Sequence, residues 1–411
     1  MKNGVVIVGT GQGGFQLAAS LRQEGFQDAI TMIGDEPGLP YQRPPLSKTY
    51  LKEGRVEAIQ LRPESYYERN GIRLISPERA IRIDRAAKTV ETLTGGSIGY
   101  DHLVLATGAR NVIPPIPGLE ACNVHQLRTA ADADNLRSAL VSTRNAIVIG
   151  GGFIGLEFAA VAASSGHRVT VVEAAPRLMS RAISPDMSEA FRIFHGELGT
   201  NLYLGCSVAE VLRGDTGRAH GVRLSDGRTI EGDLILLAAG IRPNTELAEV
   251  AGLAVSNGIV VDAGLVSQDP DISSLGDCAA FHDLERNCQL RLESVQAATD
   301  HARTIARRLT GKAAQYDALP WFWSDQANWK LQIAGLGHDA DDDVAITRPD
   351  GRKLVFRFKV GKLLAVETVN AAGEHMAARQ LLRYPGGVTA EALAARDFDI
   401  SGLAKALKEL S

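Results

Sequence analysis

The stretch "NAIVIGGGFIGLEFAAVAASSGHRVTVVE", residues 145–173, decides the fold of this chain. A run of β-branched residues ends at Gly150, glycines return at Gly152 and Gly155, an alanine-rich apolar segment follows, and a second β-branched run closes on Glu173. Strand, tight turn, helix and strand, with G-x-G-x-x-G at the turn and an acid about twenty residues on, is the dinucleotide-binding βαβ unit. Glycine lets backbone approach a pyrophosphate, the helix N-terminus favours its negative charge, and the terminal carboxylate accepts ribose hydroxyls. A carboxylate at Glu173 also repels a 2′-phosphate, so NADH is expected over NADPH, with Arg177 and Arg181 downstream as cations that soften the preference.

The same pattern stands at the start of the chain. "VVIVGTGQGG" carries Gly9, Gly11 and Gly14, and "AITMIG" runs into Asp35 and Glu36. Two such units in 411 residues predict two nucleotide domains rather than a short-period repeat. Each is followed by a strand running into a glycine turn: "HLVLATGAR" through Ala106, Thr107 and Gly108, and "DLILLAAGIRPNTEL" through Gly240. "ISSLGDCAAF" sets Asp277 after Gly276, read as a strand-to-helix turn where a carboxylate accepts a polyol hydroxyl or caps a helix.

Between the units lies "PYQRPPLSK", residues 40–48, whose prolines exclude a helix interior or central strand and demand a shaped loop. From residue 319 the texture changes. "PWFWSDQANWKLQIAGLG" holds all three tryptophans, and "RKLVFRFKV" alternates as a half-buried antiparallel strand, with Leu354, Phe356 and Phe358 on one face and Val355 and Arg357 on the other. The predicted architecture is α/β: two Rossmann-like dinucleotide-binding domains plus a C-terminal α+β domain. Its divisions are 1–112 and 242–318 for the first nucleotide domain, 113–241 for the second, and 319–411 for the third.

Composition narrows the partners. A formal charge of −4 gives no general attraction to nucleic acid or acidic membranes, and no stretch reaches the ~20 apolar residues of a span. "MKNG" runs directly into the first strand without an apolar signal region, which predicts a cytoplasmic protein. Cys122, Cys206, Cys278 and Cys288 show neither metal-ligand nor C-x-x-C spacing, so buried reduced thiols and no metal are expected.

With "GTGQGG", "PYQRPPLSK", "ATGAR", "GGGFIGLE", "AAGIRPN", "LGDCA" and "PWFWSDQ" in order along its length, the chain resembles the FAD-dependent pyridine nucleotide-disulfide oxidoreductases. Within them it is similar to the NADH-dependent ferredoxin reductases that serve bacterial monooxygenases and aromatic-ring dioxygenases. The resemblance implies a glutathione reductase-like arrangement, with FAD on the first glycine turn and NADH on the second. It implies that the proline-rich loop wraps the flavin, with Arg43, Pro45 and Lys48 at the cofactor and Lys48 as the cation that stabilises its reduced form. It further implies that Glu157 pairs with Lys48, that Ala106, Thr107, Gly108, Gly276 and Asp277 line the FAD site, and that backbone at Val295 and Gln296 donates to the flavin ring.

The resemblance of "WFW" implies that Trp323 lies where electrons leave for a two-iron, two-sulfur (2Fe-2S) ferredoxin; read by itself it is a core tryptophan. Arg303, Arg307, Arg308 and Lys312 in "HARTIARRLTGK" are candidate docking cations or a solvated helix face. The loop has Pro44, Pro45, Leu46 and Ser47 where disulfide-using relatives need cysteine, so electrons must leave from the flavin itself. The same motifs also suit a reductase of rubredoxin or a monodehydroascorbate-like radical, or a flavin redox sensor resembling apoptosis-inducing factor. A monomer or weak dimer is expected.

Overall fold

The computed structural model describes residues 3–215, 217–284 and 286–409. They form two compact units, one drawn from 3–43, 55–110 and 241–318, the other from 44–54, 111–240 and 319–409. The proline-rich loop is thus divided after Arg43, and its second half belongs with the later nucleotide-binding segment.

In the first unit a five-stranded parallel sheet runs Ile272–Ser274, His102–Leu105, Val5–Val8, Ile30–Ile33, Ile72–Ile75. Val5–Val8 is buried throughout, as expected of a parallel strand covered on both faces. The helix Gln12–Gln23 packs its Phe15, Leu17, Ala18 and Leu21 into the same core as Ile305 of the helix Val295–Leu309. At Gly13 a Cβ would fall on Leu275 Cδ1 and lie 3.5 Å from Ala298 Cβ of that helix.

The second unit repeats the design, in the order Asn201–Leu204, Arg168–Glu173, Asn145–Ile149, Leu234–Leu237, Val124–His125, again all parallel. The helix Phe153–Ser164 is apolar nearly all round and buries Leu156, Phe158, Ala159, Ala160 and Ala162. Glu157 is buried among them, only 5% exposed. A carboxylate so placed must be paired and hydrogen-bonded to remain charged.

The same unit contains a five-stranded antiparallel sheet ordered Trp321–Gln326, Trp329–Gly335, Lys362–Val369, Lys353–Lys359, Asp342–Thr347. Helices Ala372–Leu381, Ala390–Ala394 and Ile400–Glu409 accompany it. Lys353–Lys359 departs from the expected half-buried strand, because Leu354, Val355, Phe356, Arg357 and Phe358 are all buried. Alternation misled because Arg357 is paired inside: its Nε lies 2.9 Å from Asp343 Oδ1 and its Nη1 3.4 Å from Glu367 Oε1. Glu367 in turn accepts the Ser184 backbone N–H at 2.8 Å and the Ser184 hydroxyl at 2.6 Å. Burial pushes the Glu367 carboxyl up to about 7 against those bonds.

Among the described residues no helix is long and apolar enough to cross a membrane, and no cluster of three or more His, Cys, Asp or Glu can hold a metal. All four cysteines are free thiols, but only Cys206 and Cys278 are buried, whereas Cys122 and Cys288 are exposed.

Candidate active site

Both glycine turns are built alike. Gly9 and Gly150 adopt φ of +120° and +113°, and a Cβ at either would fall on a carbonyl oxygen, of Ala106 or of Ala238. Gly14 and Gly155 face Gly9 O and Gly150 O just as closely, which leaves room for hydrogen alone. By contrast a Cβ at Gly11 or Gly152 would meet nothing within 4 Å. These two glycines are the N-caps of their helices, and neither helix has a side-chain cap bond. Each turn therefore offers open space above helix N–H groups that no side chain caps, which is what a pyrophosphate requires. The residues fit a dinucleotide at both turns.

The acids that follow differ. In the second unit Glu173 ends its strand and accepts the Gly151 N–H at 2.6 Å and the Ala175 N–H at 2.7 Å, so it fastens the turn as well as offering oxygen to a ribose. Gly34 occupies the corresponding place in the first unit, since Ile33 pairs with Val8 as Val172 pairs with Ile149. A side chain at Gly34 would fall on Thr10 Oγ1, so the acid steps outward. Asp35 is exposed. Glu36 accepts from Tyr41 Oη and Arg43 Nη2, and the Arg43 guanidinium lies 5.5 Å from the Tyr41 ring centroid. Thr10, Gly11, Glu36, Tyr41 and Arg43 line one cleft, with the 37–40 loop closing it. Of the cations following Glu173, Arg177 is committed to its own loop, donating to Ile183 O and Ser180 O at 2.7 Å each, while Arg181 is exposed.

Pro44–Ser47 forms a single 3-10 turn that ends at Lys48, whose N–H donates to Pro45 O at 3.0 Å. The Lys48 ammonium lies 2.8 Å from Glu157 Oε2 and 3.2 Å from Pro44 O. Ser47 Oγ donates to the same Glu157 oxygen, and Ser324 Oγ donates to the other at 2.7 Å. Three donors thus converge on one buried carboxylate and satisfy its charge. Neither serine was foreseen. For Ser324 the signal was present in "PWFWSDQ": alternation puts Ser324 and Gln326 on the face shared with Phe322, and two polar residues on a buried face need a partner.

Thr107 Oγ1 donates to Asn244 O at 2.7 Å, and Asn244 Nδ2 returns a bond to Thr107 O at 2.8 Å. The "ATGAR" turn is thereby latched to Asn244, another residue the sequence reading passed over. Asp277 does not stand at a strand-to-helix turn: Gly276–Cys278 is a short 3-10 turn leading into the strand Ala279–Asp283. Its backbone is fixed by the Gly276 N–H, which donates to His301 Nδ1 at 3.2 Å. Burial holds His301 down to about 3, so it stays a neutral acceptor.

Val295 and Gln296 open the helix Val295–Leu309, capped by Ser294, and Gln296 Nε2 donates to Asp300 at 2.6 Å. Trp323 is half-buried on the edge strand, its ring centroid 5.5 Å from that of Trp321, over which the Arg379 guanidinium lies at 4.8 Å. The basic stretch does not present four cations together: Arg308 turns inward to Ser273 Oγ, Lys312 pairs with Glu24, and Arg303 with Asp300.

The pyridine nucleotide-disulphide oxidoreductase model matches residues 3–302, and the reductase C-terminal model matches residues 321–404. The chain is 47% identical to rhodocoxin reductase of Rhodococcus erythropolis, over 96% of this chain and 93% of that one. Its fold is similar to the crystal structure of the ferredoxin reductase for the CYP199A2 system from Rhodopseudomonas palustris, with TM-score 0.95, 43% identity, and coverage of 98% of this chain and 100% of that one. It is also similar to the covalent putidaredoxin reductase-putidaredoxin complex, with TM-score 0.94, 35% identity, and coverage of 98% and 99%. Two open glycine turns, the apolar helix bearing Glu157 and these full-length matches agree: the chain belongs to the pyridine nucleotide-disulphide oxidoreductase family.

Proposed function

We propose that this protein passes electrons from NADH through FAD, one at a time, to a 2Fe-2S ferredoxin that feeds a cytochrome monooxygenase or a ring-hydroxylating dioxygenase. The observation that carries the reading is the pair of open glycine turns combined with Pro44, Pro45, Leu46 and Ser47, none of them cysteine, in the loop after the second strand. Two nucleotide sites without a sulfur relay suit a two-electron donor and an acceptor that takes electrons directly. Relatives named for rhodocoxin, putidaredoxin and terpredoxin support the partner class.

Bound FAD supplies the chemistry that joins a two-electron donor to a one-electron acceptor. The chain's own residues bind and orient. Gly11 and its helix N-terminus would receive the pyrophosphate of FAD, Glu36 and Arg43 would close its ribose side, and Asp277 would be offered to the polyol. Gly152 and Glu173 do the same for NADH, and the carboxylate disfavours a 2′-phosphate. Lys48 is the cation for the reduced flavin, and Glu157 holds it in place. Trp323, half-buried on the edge strand, excludes water where electrons leave.

Mixing the flavin-loaded protein anaerobically with NADH and a 2Fe-2S ferredoxin, and following both chromophores by stopped flow, tests the reading. Rapid flavin reduction followed by ferredoxin reduction is expected. Rapid flavin reduction that leaves ferredoxins oxidised but reduces rubredoxin would replace the acceptor, as a relative named rubredoxin-NAD(+) reductase, 38% identical, allows. Slow flavin reduction with a long-lived charge-transfer band would overturn the reading in favour of a redox sensor.

A further inference from the structure

The bonds at Glu157 continue inward. Ser324 Oγ, which donates to Glu157 Oε1 at 2.7 Å, accepts from Gln326 Nε2 at 3.1 Å. Gln326 Oε1 meets His195 Nε2 at 2.7 Å. Ser324, Gln326 and His195 are each 0% exposed, and all three belong to the unit that holds Glu157 and Lys48.

The polarity of this chain is set at its Glu157 end. A carboxylate only accepts, so Ser324 must donate its single hydroxyl proton to Glu157 and can only accept from Gln326. The amide then faces Ser324 with its nitrogen and His195 with its oxygen, which requires the proton on His195 Nε2. His195 Nδ1 meets no partner among the described residues, consistent with the bare nitrogen of that tautomer. Burial also lowers the His195 pKa, so the ring stays neutral and the tautomer is kept. Gln326 Nε2 further touches Met179 Sδ at 3.7 Å, and the Met179 N–H donates to Gly151 O at 2.9 Å. Three buried donors therefore run head to tail from His195 to Glu157, and a branch reaches the second glycine turn.

We propose that Ser324, Gln326 and His195 are positioning residues that fix the Glu157 carboxylate in one rotamer and, through it, the Lys48 ammonium used during flavin reduction. A buried Glu has rotatable bonds that packing alone leaves open, and one directed bond to the oxygen facing away from Lys48 removes that freedom. This rests on the electron-transfer reading above, so the test has an arm that does not need turnover.

The first arm measures the limiting rate of flavin reduction at saturating NADH. Ser324→Ala is expected to lower it about tenfold, in line with loss of a hydrogen bond to a charged group, with the NADH dissociation constant within about twofold. Gln326→Met should give a smaller loss and His195→Phe the smallest, whereas His195→Gln, which keeps a donor, should restore the parental rate. The second arm observes the Lys48 ammonium by nitrogen-15 lysine NMR, assigned by its disappearance in Lys48→Arg. A sharp, slowly exchanging signal is expected in the parent, and a broadened or shifted one in Ser324→Ala.

An unchanged Lys48 signal in Ser324→Ala overturns the proposal, as does a rate loss that follows thermal stability rather than position along the chain. If Ser324→Ala does not fold, the same two readouts on Gln326→Met decide. A parent protein that NADH does not reduce would refute the electron-transfer reading, while the NMR arm would still decide the positioning role.

Discussion

Replacing Glu157 by Gln changes almost no volume but removes the charge on which three donors converge. Lys48 Nζ lies 2.8 Å from Glu157 Oε2, and the two side chains are 17% and 6% exposed. At an effective dielectric constant of about 20 the gross attraction is ~6 kcal/mol. Much of it does not appear as a net loss, because Lys48 retains Pro44 O at 3.2 Å and some access to water. An amide also has a single acceptor oxygen. Turned toward Lys48, it presents its NH2 to the Ser324 hydroxyl; turned toward Ser324, it presents that NH2 to an ammonium. Either arrangement costs about one charged hydrogen bond, ~2 kcal/mol, or roughly thirtyfold in rate. The assay is anaerobic stopped-flow reduction of the flavin at saturating NADH, with bound flavin measured beforehand from its absorbance. A limiting rate within twofold of the parent, with flavin fully retained, would refute the assignment of Lys48 and Glu157 to this step.

Gly14→Ala places a methyl on Gly9 O and should yield protein purified largely without flavin, whereas Gly155→Ala should retain flavin but weaken NADH binding at least tenfold, read by absorbance and by NADH titration. Glu173→Ala loses the acceptor for the Gly151 and Ala175 N–H groups as well as the repulsion of a 2′-phosphate, so NADH affinity should fall about tenfold while the NADPH to NADH ratio of kcat/KM rises. Stability should peak near pH 6.5. Burial holds His301 down to about 3 and His102 to about 4, so between those values and 6.5 the unfolded chain binds protons that the folded one refuses, and stability is lost as pH falls. Glu367, raised to about 7, works oppositely: its contribution is present below its unfolded value and is lost as pH rises through 7. His375, held down to about 4, and His195 and His125, also lowered by burial, act in the same direction as the first two histidines, so the histidines outweigh the one carboxyl and stability falls with pH below 6.5. Urea titrations should show it, and Glu367→Gln should abolish the decline above pH 6.5.

What the sequence disclosed and what it hid follow from range. Gly9, Gly14, Gly150 and Gly155 were legible because their conflict is with backbone a few residues away or on the adjoining strand, and only glycine meets it. The pairing of Glu157 with Lys48 was implied by the family resemblance alone, and its serine partners lie 110 and 167 residues off at Ser47 and Ser324, beyond any periodicity. The strand Lys353–Lys359 read as half-buried because an arginine in alternation signals solvent, and the acids that neutralise Arg357 come from two other strands. Asp277 was misread because glycine before an acid suits a helix start, whereas this turn leads into a strand and is held by a buried histidine on a helix, 25 residues past Gly276.

The exposed pair of cysteines has a practical consequence. Cys122 belongs to one compact unit and Cys288 to the other, while Cys206 and Cys278 are buried. The natural chain therefore carries one maleimide-reactive handle per unit. Spin labels or a fluorophore pair attached there would report the distance between the two labelled sites with and without NADH, without a substitution at any residue that binds a nucleotide.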